Sequence, residues 1–185
     1  MRMRPLGRKV GLVAHVGCSV GWLGAVLTSL VLAVVGLSTR DAETARAAYI
    51  LLEGVGWCAL VPLGLASLLT GLVQALGTRW GLFRHYWVIA KFAMNLLAVG
   101  VLLLYTQTLA YLADRARASA YPADVDQMNG LSPVVHASAA VALLLTALLL
   151  SVLKPKGLTP YGQRKSASMP PRGGALRTRR VGILP

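Results

Sequence analysis

Apolar residues run almost unbroken over residues 10–37, 47–76, 87–111 and 131–153, and polar residues gather in the stretches between them. At 1.5 Å of rise per residue, about 20 residues of helix cross a bilayer's hydrocarbon core, so each run is long enough to span it. Inside that core no water satisfies backbone amides and carbonyls, and long continuous apolar runs meet the requirement as helices. The pattern predicts an all-α fold: a four-helix transmembrane bundle over residues 1–153, followed by a basic, largely disordered tail over residues 154–185.

Composition narrows the choice further. With 56% hydrophobic and 14% charged residues and a mean hydropathy of +0.62, the chain has no stretch left for a soluble catalytic domain, so any activity sits in the bundle or at its faces. The basic start, with Arg2, Arg4, Arg8 and Lys9, has the form of a secretory signal. A signal's apolar region ends after about 7–15 residues. Here it continues to Leu37, and an uncleaved first span is expected.

Lys and Arg collect on the cytoplasmic side of membrane proteins. Arg79, Arg84 and the run of basic residues from Lys154 to Arg180 share one side with the N-terminal cluster, whereas Arg40, Arg46, Arg115 and Arg117 are mixed with acidic residues on the other. Both termini are therefore expected in the cytoplasm, in the cell membrane. The net charge of +13 follows from this asymmetry and implies anionic lipid at the cytoplasmic face as a partner, not nucleic acid. A membrane-protein partner or a second copy of the chain is also compatible with the pattern.

Small residues recur at every fourth position: Gly17, Gly21, Ala25, Ser29 and Ala33 in span one, and Gly54, Cys58, Pro62, Ala66 and Thr70 in span two. Such ridges let membrane helices approach closely, which predicts a tight pairing of the two spans. Pro62 has no amide hydrogen and is expected to bend span two near its middle. Cys18 and Cys58 read as packing residues, since they form no Cys-x-x-Cys pair and no zinc-type cluster.

Ionisable groups inside spans mark candidate sites. His15 lies about 7–8 Å below one surface and Lys91 about 6 Å, counted at 1.5 Å per residue. Together with Asn95, one turn beyond Lys91, they form the first candidate cluster. Near the opposite surface Glu53 and His136 lie at matching depths of about 7–9 Å, and His136 is the expected partner of the Glu53 carboxylate. His15 and His136 stand near opposite surfaces and make a poor axial pair for one haem. There is no phosphate-binding glycine loop, no serine nucleophile elbow and no His-Glu-x-x-His motif.

His15, Trp22-Leu-Gly24, Trp87, Lys91, His136 and the stretch from Ser151 to Gly162 resemble an actinobacterial family of four-span integral membrane proteins without an assigned activity, over residues 8–165. More distantly, His15 followed by Trp22-Leu-Gly24 is similar to the first span of copper-resistance D type proteins and of four-span protoporphyrinogen oxidases. The second resemblance implies that His15 and Lys91 serve a haem or porphyrin. Val34-Val-Gly-Leu37 stands where those oxidases carry Leu-Pro-Arg-Leu. Three readings stay open: a non-enzymatic accessory or binding protein, a haem or porphyrin protein using His15, Lys91 and Asn95, and a copper or small-solute carrier using Glu53, His136 and the cysteines.

Overall fold

The structure is a computed structural model, and it describes residues 4–77, 81–118, 130–155 and 157–167. Span one is a single helix, α1 (Pro5–Ser38). Span two (Ala42–Gly77) joins α2 (Ala42–Val55) to α3 (Val61–Gly77) through a π-helical turn, Gly56–Leu60. Span three is α4 (Tyr86–Ala118), span four is α5 (Ser132–Leu153), and a short helix, α6 (Pro160–Ala167), follows. Among the described residues, four helices are long and apolar enough to cross a membrane, as expected from the hydropathy pattern. The helices of spans one to three overrun the predicted apolar limits, most at the end of span three, where α4 continues past Tyr111 for two turns.

Inward positions repeat at spacings of three and four. On α1 they are Trp22, Val26, Ser29, Ala33 and Gly36, and on α4 Val99, Thr106, Leu109, Ala113 and Ala116. This is the period of helices packed almost parallel, with side chains seated in the spaces of the facing helix. Lipid tails are as apolar as the core, so the close fit comes from contact between surfaces and not from exclusion of water. Span one packs against span two along its length, as the small-residue ridges predict.

Of the predicted ridge on span two, Thr70 meets span one through His15, but the rest of the contact face lies elsewhere. Cys58 and Pro62 are exposed, and a side chain at Gly54 would meet nothing within 4 Å. The face turned to span one instead carries Gly64, Ser67 and Gly71. A Cβ at Gly64 would stand 3.0 Å from the Trp22 ring, and one at Gly71 3.0 Å from the His15 ring. Gly54 already faces open space ahead of the bend, and Pro62 then changes the register of the rest of the span. The proline ring blocks the carbonyl four residues back and it donates no hydrogen bond, and the helix responds with a wider turn in which the Val61 amide donates to the Gly56 carbonyl, five residues back. The extra residue rotates everything downstream relative to a four-residue ridge. On span one, Ser29 and Ala33 are buried as expected, whereas Gly17 borders open space.

The turn between the first two spans is fixed by Asp41, whose carboxylate accepts from the Thr44 amide at 2.9 Å and from the Thr44 hydroxyl at 2.5 Å, an N-cap for α2. At the other end of the bundle, the segment after span four docks onto the connection into span three. Thr159 is buried and donates its hydroxyl to the Phe83 carbonyl at 2.6 Å and its amide to the Arg84 carbonyl at 3.1 Å. The same hydroxyl accepts from the Gly162 amide at 3.1 Å and caps α6, with Pro160 at the first helical position. Residues 168–185, most of the expected tail, lie outside the described residues.

Candidate functional site

At the end of the bundle that holds the chain's N-terminus, His15 bridges spans one and two. The Thr70 hydroxyl donates to the Ala66 carbonyl at 2.6 Å, so toward His15 Nδ1, 3.1 Å away, it acts as acceptor and Nδ1 carries the proton. One turn deeper, the Ser19 and Ser67 hydroxyls are 2.8 Å apart. Lys91 crosses to span four and donates to the Ser151 hydroxyl, within Coulombic range of His15. Asn95 is half-buried one turn further along α4. The predicted cluster thus occupies one end of the bundle, but its members are held by Thr70 and Ser151, two partners that hydropathy reading treats as filler.

Glu53 and His136 are not paired with each other. The Glu53 carboxylate binds Arg117 at 2.5 Å, and the same guanidinium reaches Asp114 at 2.9 Å. The apolar run of span three ends at Tyr111, whereas α4 continues to Ala118. Its extra two turns bring a cation beside Glu53 that the predicted depth scale had placed in a loop. His136 turns the other way: its Nδ1 lies 2.9 Å from the Ser132 carbonyl, and its ring stacks on Tyr105 with centroids 4.0 Å apart and planes 16° apart. The Tyr105 hydroxyl is 3.1 Å from that of Ser132.

Spans three and four are therefore tied by polar contacts at both ends, Lys91 to Ser151 and Tyr105 to Ser132. Between the ties lies a cavity of about 310 Å³. Its inner wall is Trp22, Val26, Leu52 and Leu60 of spans one and two, all buried. Its mouth lies between α4 and α5, where the exposed Leu97 and Val101 and the exposed His136 and Ala139 line it. The space exists because span four presents Ala137, Ala139 and Ala140 where larger residues would close the seam. Few polar groups enter this lining, and two are already engaged: Ser29 donates to the Ala25 carbonyl at 3.0 Å, and Tyr105 is held by Ser132. Trp22 Nε1 is buried without a hydrogen-bond partner, on the side of the indole that packs against Gly64.

Such a site, concave and apolar with few convergent polar groups, is the usual form of a small-molecule pocket. An apolar cavity of about 150 Å³ holds one benzene, so this one has room for roughly two such groups, about a dozen carbons. The porphyrin implied by the more distant resemblance does not fit these residues. His15 is held edge-on in the interface by Thr70 and Gly71, Lys91 is engaged by Ser151, neither lines the cavity, and the cavity is too small for the macrocycle. Nor do the residues of the copper reading converge: among the described residues no three His, Cys, Asp or Glu side chains gather, and Cys18 and Cys58 are free. The chain matches no protein-family model, no curated protein and no solved structure.

Sequence reasoning missed the cavity. Its signal was present as the run of small residues over 137–140 in an otherwise bulky span, but a hydropathy reading counts alanine and leucine alike.

Proposed function

We propose that this chain is a non-enzymatic binding protein of the cell membrane, which holds one apolar, membrane-dissolved ligand in the cavity between spans three and four. The observation that carries the reading is the cavity itself, with its apolar walls and its mouth on the lipid-facing side of the bundle. Membrane helices associate by close contact, so an unfilled seam forfeits dispersion energy along its whole lining. An occupant restores those contacts.

Both termini lie in the cytoplasm in this reading. Arg4, Arg8, Lys9, Lys154 and Arg164 are exposed at the same end of the bundle, where they meet anionic head groups, each basic group near such a surface contributing about 1 kcal/mol. The ionisable residues of the spans tie helices together: His15 to span two, Lys91 to span four and Glu53 to span three.

Native mass spectrometry of the protein released from nanodiscs tests the proposal. Wild type is expected to carry an apolar molecule that Ala140→Phe, which fills the cavity, has lost. Equal retention by both proteins would contradict the site, and a wild type with nothing bound would contradict the function.

A further inference from the structure

Two lining groups carry spare bonding capacity among the described residues: Trp22 Nε1, which faces Gly64, and His136, the acceptor, whose chemistry specifies the ligand. His136 Nδ1 lies 2.9 Å from the Ser132 carbonyl oxygen, its nearer partner, and 3.4 Å from the Ser132 hydroxyl, which is itself paired with Tyr105. A carbonyl only accepts, so Nδ1 carries a hydrogen, and in the neutral imidazole Nε2 is then a lone-pair acceptor. The Tyr105 ring, stacked at 4.0 Å and 16°, fixes the plane in which that lone pair points. Among the described residues no hydrogen bond reaches Nε2, while the hydroxyls of Ser29 and Tyr105 have partners of their own.

We infer that the ligand is a neutral single-chain lipid alcohol, whose hydroxyl donates to His136 Nε2 while the first part of its chain lies in the cavity against Trp22 and the rest runs out between α4 and α5. The inference rests on the cavity reading above and adds the head group. A ketone or ether oxygen offers Nε2 no hydrogen, and a carboxylate or phosphate sets negative charge against a lone pair. The volume, room for roughly two benzene-sized groups or about a dozen carbons, suits a segment of one chain. His136 sits one turn inside span four, which places the hydroxyl near the membrane surface and the chain toward the bilayer centre, the way an alcohol lies in a lipid leaflet.

The test uses full-length protein with Trp57→Phe, Trp80→Phe and Trp87→Phe, so that Trp22 is the sole tryptophan, in nanodiscs of unbrominated lipid. Three guests with the same dibrominated chain are added: the alcohol, its methyl ether and the hydrocarbon. Bromine quenches Trp22 when the chain enters the cavity. The alcohol is expected to reach half-quenching at a mole fraction roughly five-fold below that of the ether, the gain of one net hydrogen bond. In His136→Phe, which keeps the stack on Tyr105 and removes the acceptor, the two curves should coincide. Alcohol and ether quenching alike in the Trp22-only protein would overturn hydroxyl recognition and leave the cavity reading standing. No quenching by any of the three guests would overturn both.

Discussion

Trp22 and Gly64 fit as ring and hollow: a Cβ at residue 64 would lie 3.0 Å from Cε2 of the indole, closer than side chains in contact ordinarily come. The pair fixes the distance between spans one and two, and it sets the indole as the inner wall of the cavity.

Gly64→Ala should therefore destabilise the protein in mild detergent by about 1–3 kcal/mol, the range for overpacking a tight interior. Gly54→Ala, which borders open space, should be neutral or slightly stabilising, because alanine is the better helix former. Thermal melts of both variants check this. Adding Trp22→Phe should recover part of the Gly64→Ala loss, since the smaller ring leaves room for the methyl group. Full additivity of the two substitutions would place the strain elsewhere.

Removing the hydroxyl of Ser151 by Ser151→Ala leaves the Lys91 ammonium half-buried without its hydrogen-bond acceptor. The expected loss is about 1–3 kcal/mol, the desolvation cost of an unpaired polar group. Lys91→Met with Ser151→Ala should cost less than Ser151→Ala alone, because an apolar pair has nothing left unsatisfied. Denaturation midpoints of the two singles and the double give the coupling.

The four spans were legible because hydropathy over 20 residues or more has one physical meaning in a membrane. Partner choice was less legible. Glu53 takes Arg117 because α4 runs on through polar residues after its apolar stretch ends, and hydropathy measures apolar length while a helix ends where its backbone bonds end. The face of span two went astray for a related reason. Residue size at every fourth position does not say which face turns inward: Gly54 borders open space ahead of the π turn, and beyond it Gly64 and Gly71 meet span one. His15 and Lys91 could be located by depth, but Thr70 and Ser151 could not, since a hydroxyl in a span more often bonds its own helix.

Thr44 holds the Asp41 carboxyl below its ordinary range, its hydroxyl being the largest cause and its amide the next. A depressed folded pKa means that the cap's contribution is complete above the unfolded value, about 3.9 for aspartate, and is lost as pH falls through the lower folded value. Amide exchange at the start of α2, measured down through that window, should show protection falling with pH. In Asp41→Asn, which retains a capping oxygen without a carboxyl proton to gain, that fall should be absent.

A lipid-borne chain that occupies the cavity must reach the interior of the bundle between spans three and four. Trp22 is 3% exposed and Trp57 55%, so single-tryptophan proteins retaining one or the other report the cavity and the lipid-facing surface separately. In nanodiscs of brominated-chain phospholipid the account predicts quenching of both, with Ala140→Phe protecting Trp22 and leaving Trp57 unchanged. Strong quenching of Trp57 beside a Trp22 signal that is unquenched, and the same with and without Ala140→Phe, would contradict it.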